Sequence, residues 1–132
     1  MPMQHPAYCQ RIDPKRSKKL FAEICSTLKK GKLYRNPKLT AQELATLLKT
    51  NTRYIAAVVQ LNTNDNFSNL LNTFRLADAE QMLIASSEYS AEEIALMSGF
   101  GSRQSFYKVF VKKHGIAPSQ FRIQHREQTF KE

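Results

Sequence analysis

TAQELA (residues 40–45) returns as SAEEIA (residues 90–95), and that echo decides the fold. It continues past both strings: Ile55, Val58 and Val59 recur as Phe106, Val109 and Phe110, with one more residue in the second turn than in the first. Each copy opens on a capping-box pattern, in which Thr40 or Ser90 can accept from free backbone N–H groups while Glu43 or Glu93 reaches back to the cap residue. The first helix of each copy ends near Leu48 or Ser98, and Asn51 or Ser102 supplies the short polar side chain that caps a second helix. Ala45 and Ala95 are small where two helices must approach, and Ile55 and Phe106 follow as apolar anchors, which is a helix-turn-helix pattern. Gly99 suits a left-handed residue in the second turn, whereas the first turn has Lys49 there.

Working outward, apolar Leu20, Phe21, Ile24, Cys25 and Leu28 fall at helical spacing and predict a scaffold helix from Ser17 to about Gly31. Upstream, Pro2, Pro6 and Pro14 interrupt residues 1–16, which read as a disordered tail or linker remnant. Between the two copies, LLNTFRLADAEQMLIAS has no glycine or proline and a long amphipathic pattern, so one connecting helix is expected over about 68–87. Its length would be about 30 Å at about 1.5 Å per residue, close to the ~34 Å of one duplex turn. After the second copy, Gly115 ends a helix and Pro118 opens a last one over about 117–125, with Phe121 and Ile123 pointing inward. The expected class is all-α with about seven helices: helix-turn-helix units over about 40–60 and 90–114, within a domain covering 17–132.

The net charge of the 132 residues is +9, unevenly spread. Residues 1–40 carry ten Lys/Arg against two acids, residues 41–100 three against seven, and residues 101–132 seven against two. Basic ends favour a polyanionic partner, because phosphate neutralisation dominates nonspecific nucleic-acid affinity. No apolar run has the length of a membrane span, and the opening MPMQHPAYCQRID lacks the apolar core of a secretory signal, so the cytoplasm is expected. Cys9 and Cys25 lack metal-ligand spacing, and His5, His114 and His125 share none either, so neither a metal, a cofactor nor a catalytic base is expected.

The stretch IALMSGFGSRQSFYKVFVKKHGIAPSQFR, with its I-A pair, G-F at the turn, basic F-x-K-K-x-G ending and P-x-x-F-R, resembles the signature of the AraC/XylS family of bacterial transcription regulators. The linker RLADAEQML is similar to that family's connecting-helix pattern, and the resemblance covers about residues 17–124. It implies that the second helix of each unit enters a major groove, in two successive grooves of double-stranded DNA. The matching base-reading positions are Asn51, Thr52, Arg53, Ala56 and Ala57 in the first unit and Arg103, Gln104, Tyr107 and Lys108 in the second, with Ser102 at the latter helix's start. Arginine can present a fork to guanine, glutamine can pair with adenine, and alanine can meet a thymine methyl. Ala57 departs from the family, which usually has a polar residue there, so the second unit is expected to be the main reader. Helix starts at Thr40, Ser90, Ser102, Ser119 and Gln120 are expected phosphate contacts. Arg75 is expected to meet a phosphate or to pair with Asp78. Further partners implied by the resemblance are RNA polymerase and, if the chain is a fragment of a longer regulator, a sensor or dimerisation domain.

Two other functions have to be weighed. Some proteins with AraC-like domains repair alkylated DNA by accepting a methyl group on an activated cysteine, but the two cysteines here have no ligand cluster around them. A helical protein-interaction module would fit the helices but not the basic ends.

Overall fold

The computed structural model describes residues 12–85 and 88–131. Among these residues the chain is all-α: α1 (Pro14–Lys29), α2 (Ala41–Leu47), α3 (Thr52–Thr63), α4 (Phe67–Ala85), α5 (Ala91–Met97), α6 (Arg103–His114) and α7 (Pro118–Lys131), with a short 3₁₀ segment at Lys30–Arg35. The expected tail falls largely outside the described residues. Its inner end is helical, because Asp13 accepts from Lys15 N–H as the N-cap and Pro14 takes the first position of α1. Proline's fixed φ and missing N–H suit that position, so α1 starts before Ser17. At the other end, α7 outruns the expected stop at residue 125, since QHREQTFK contains no helix breaker.

The chain divides into two compact units, one made of the residues up to Leu33 and of Lys38–Leu71, the other of Tyr34–Pro37 and everything from Asn72 on. In the first, α3 packs against α1 and α2. Its buried apolar residues are Ile24 and Leu28 of α1, Leu39 before α2, Leu44 and Ala45 of α2, Ile55, Ala57, Val58 and Val59 of α3, and Leu70 and Leu71 from the start of α4. A polar tie joins α1 to the far end of α3: the Asn62 amide donates to the buried Ser17 hydroxyl at 2.9 Å and to Val58 O at 2.7 Å.

Both helix-turn-helix corners use one geometry. In the first, Lys49 N–H donates to Thr46 O and Thr50 N–H to Ala45 O; in the second, Gly99 N–H donates to Leu96 O and Phe100 N–H to Ala95 O. These paired bonds are the Schellman closure, which needs a left-handed residue after the helix. Lys49 adopts φ 56 and Gly99 φ 105, so lysine takes the strained position that glycine takes in the other unit. The starts differ more. Ser90 and Glu93 close the capping box in both directions, while Thr40 accepts from Glu43 N–H at 3.1 Å.

The second unit is built on aromatic rings. Phe100, Phe106, Phe110 and Phe121 are buried with Leu76, Leu83, Ile94 and Ala95, and successive ring centroids lie 5.1, 5.5 and 5.2 Å apart. His114 continues the series, 4.4 Å from the Phe110 centroid. Fully burying such a side chain stabilises by about 1.5–3 kcal/mol. Against this core lies the strap Tyr34–Pro37. The Arg75 guanidinium, itself buried, donates to Tyr34 O at 2.7 Å and Asn36 O at 2.9 Å. Arg35 forks onto Asp78 at 2.6 and 3.0 Å, and the Tyr34 ring stacks on Phe74. A Cβ on Gly99 would meet Tyr34 O and come within 2.7 Å of Arg35 Cα, so the turn and the strap touch only because residue 99 is glycine.

Gly99→Ala should therefore lower the unfolding free energy by about 2 kcal/mol or more, through a backbone clash added to a disfavoured φ. At the corresponding corner Lys49→Gly should be neutral or stabilise by up to about 1 kcal/mol, since it removes left-handed strain. Urea denaturation of both variants checks the contrast.

Candidate nucleic-acid interface

Of the two second helices, α6 has the broader outward face. Its N-cap Ser102 accepts from Ser105 N–H, and Phe106 and Phe110 seat the helix in the aromatic core. Those anchors turn Arg103, Gln104, Ser105, Lys108, Val111 and Lys112 outward, all exposed. Gln104, Lys108, Val111 and Lys112 follow the i, i+4, i+7, i+8 spacing of one helix face. Tyr107 is half-buried at the edge of the core, its ring edge-on to Phe106. Its face carries the Arg103 guanidinium, 4.7 Å from the ring centroid. Arg103 Nε also lies 3.1 Å from Glu92 Oε1 of α5. Hydrogen bonding with Tyr107, and the nearby Glu92 carboxylate, raise the guanidinium pKa further. Arg103 is thus held beside the outward face by Tyr107 and Glu92.

The face of α3 is narrower. Asn51 caps the helix, its Oδ1 accepting from Tyr54 N–H at 2.8 Å. Asn51, Thr52 and Arg53 are exposed, Ala56 is half-buried, and Gln60 prolongs the same face one turn on. Ala57 is a correction: expected among the base readers, it is 2% exposed and belongs to the core of its unit. The equivalent position of α6, six residues after the cap in both, is the exposed Lys108.

Arg75 is the second correction. Expected at a phosphate or at Asp78, it is buried and its guanidinium serves the strap carbonyls and Asn72 Oδ1, while Asp78 takes Arg35 instead. Burial lowers its pKa from the ordinary arginine value. The expected phosphate contacts divide by their surroundings. Thr40 and Ser90 are exposed caps, but the first turns that follow carry Glu43 and the pair Glu92 and Glu93. At Ser90 the Glu93 carboxylate already accepts from the cap N–H at 3.2 Å, and at Thr40 the charge of Glu43 in the first turn opposes an anion. Ser102, half-buried, and the exposed Ser119 and Gln120 stand where the first turns of α6 and α7 hold no acid. Gln60, Val111 and Lys112 join the outward faces without having been expected there; extending each helical period by one further turn reaches them.

Behind the α6 face, Lys113 Nζ lies 2.8 Å and His114 Nε2 3.4 Å from the Glu80 carboxylate of α4. Arg122 of α7 donates to Leu83 O and to Tyr89 O. The outward face of α6 therefore sits on a framework pinned at both ends.

Comparison with known proteins places this geometry. A family model described as a helix-turn-helix domain matches residues 44–124. The melibiose operon regulatory protein of Escherichia coli (strain K12) is 31% identical over 94 residues, covering 70% of this chain and 31% of that protein. The raffinose operon transcriptional regulatory protein RafR of Pediococcus pentosaceus is 31% identical over 83 residues, covering 63% of this chain and 30% of its own length. The chain thus spans under a third of these curated relatives. Among solved structures, the C-terminal domain of the two-component response regulator yesN from Fusobacterium nucleatum superposes with a TM-score of 0.66 at 25% identity, covering 81% of this chain and 98% of that one.

Arg75→Met should leave two strap carbonyls unsatisfied and cost about 1–3 kcal/mol each. The expected outcome is a lower thermal midpoint with an unchanged salt dependence of nucleic-acid binding, whereas a phosphate contact would flatten that dependence. Glu92→Gln, by releasing Arg103 and removing a negative charge beside it, should tighten DNA binding a few-fold in a fluorescence anisotropy titration.

Proposed function

Because the chain belongs to the AraC/XylS family of helix-turn-helix transcription regulators, we propose that it carries the sequence-specific DNA-binding activity of such a regulator, with α6 as its principal reading helix. The observation that carries this is the α6 face: Arg103, Gln104 and Lys108 exposed together on a helix locked by Phe106 and Phe110. A fork to guanine from Arg103, a paired contact to adenine from Gln104 and a second cation in Lys108 are the chemistry of major-groove readout. Tyr107 positions Arg103 and borders the groove. From α3, Asn51, Thr52, Arg53 and Ala56 read the second half-site with fewer polar contacts. Ser102, Ser119 and Gln120 fix the register on the phosphate backbone.

The two reading helices take successive major grooves of one duplex. Relatives that extend well beyond the matched segment support a further domain, sensor or dimerisation, in the same regulator, and the proposal takes RNA polymerase as the partner at the promoter and the cytoplasm as the site of action. Among the described residues no helix is long and apolar enough to cross a membrane. The chain's role in this proposal is binding, not catalysis. Burial raises the Cys25 thiol pKa, which works against the thiolate a methyl acceptor needs.

Selection from a randomised duplex library should return two blocks of preferred bases about one helical turn apart, the stronger one belonging to α6. Arg103→Ala should weaken binding to the selected site roughly ten- to hundred-fold and relax preference at one base pair. A library that shows no enrichment with the wild-type protein would overturn the proposal.

A further inference from the structure

The two reading helices end differently. The last turn of α6 holds Lys112 and Lys113, cations placed against the negative end of the helix dipole, with His114 after them. The last turn of α3 holds no basic residue, its C-cap is Asn64 and the exposed Asp65 follows. Arg53, at the opposite end, is the only Lys or Arg on α3. A helix of 12 residues is about 18 Å long, whereas the major groove is about 12 Å wide. A helix lying across it therefore approaches a phosphate strand at each end, and the bare C-terminal end of α3 would repel the far strand.

Another element of the same unit supplies the missing charge. The Ser17–Asn62 hydrogen bond, 2.9 Å long, fixes the first turns of α1 to the last turn of α3. Those turns carry Lys15, Arg16, Lys18 and Lys19, all exposed, with Arg16 and Lys18 next to Ser17 in sequence. Glu23 is the only acid within α1. Four cations thus lie within two residues of the position where α1 meets the last turn of α3, held near it by a part-buried side-chain bond.

We infer that the first two turns of α1 form a phosphate-backbone clamp, gripping the DNA strand at the α3 C-terminal side of the groove, where α3 has no counterpart of the exposed Lys112 on the last turn of α6. The inference rests on the DNA-binding reading above. The clamp contributes affinity and no base preference, since lysine and arginine meeting phosphates position a protein without reading sequence.

The test is hydroxyl-radical footprinting and a salt titration on the duplex selected by the wild-type protein. Combined substitution Lys15→Gln, Arg16→Gln, Lys18→Gln and Lys19→Gln should erase protection of the sugar-phosphate backbone at the outer edge of the α3 half-site. It should also reduce the slope of log K against log salt by about 0.9 for each phosphate no longer neutralised, and weaken binding at least ten-fold at moderate salt with the selected base preferences kept. All four side chains are exposed, and an unchanged thermal midpoint confirms that the fold survives. Lys30→Gln with Lys32→Gln, at the other end of α1, should leave that protection intact. Retained protection and slope in the quadruple variant overturn the clamp alone, as does disappearance of the same protection in the Lys30 and Lys32 variant. A wild-type protein that protects no site removes the DNA-binding reading itself.

Discussion

A buried guanidinium organises the second unit. Arg75 points into the fold, and its two strongest bonds go to the main-chain carbonyls of Tyr34 and Asn36. A cation taken out of water must be fully hydrogen-bonded or it costs several kcal/mol, so the strap and the side chain specify one another. The strap in turn leaves no room for a Cβ at residue 99, and Gly99 closes the corner from which α6 departs. The direction of α6 thus depends on a series of interactions that begins at a side chain of α4. Arg35 and Asp78 add a second tie, in which the Asp78 hydrogen bond raises the Arg35 pKa against the opposing effect of burial.

The two helix-turn-helix corners share a backbone and differ in chemistry. Both close through the same pair of bonds, with Lys49 tolerating in one the conformation that Gly99 adopts in the other. Glycine is obligatory only where the strap crowds the turn; at Lys49 the left-handed backbone brings strain alone. The same divergence shows on the second helices. Lys108 faces outward where Ala57 is buried, and α6 ends in cations where α3 ends beside Asp65. An aromatic core large enough to seat α6 leaves a wide face outside; the aliphatic core around α3 takes up more of its circumference. One duplicated architecture can therefore present one outward helix face rich in hydrogen-bond donors and another with little charge of its own.

How far the sequence is legible follows the range of the forces involved. Caps, corners and apolar periods act within a few residues, and so Thr40, Asn51, Ser90, Ser102 and the ring positions Phe106 and Phe110 are readable as local signals. The start of α1 lies earlier than expected because Pro14, a breaker inside a helix, becomes an ordinary first residue under the cap at Asp13. Ala57 and Arg75 depart from expectation for another reason. Whether an alanine on a helix faces groove or core, and whether an arginine meets phosphate or carbonyl, depends on which distant segment lies alongside.

The sequence by itself determined an all-α chain with two capped helix-turn-helix units and a helix between them, because repeated local patterns and short-range hydrogen bonds suffice for that. Only the tertiary structure decided which cations are outward and which are spent inside, since Tyr34 and Asn36 stand about forty residues from Arg75 and Ser17 forty-five from Asn62. Interactions over that separation leave no period in the sequence; they exist only once packing has brought the partners together.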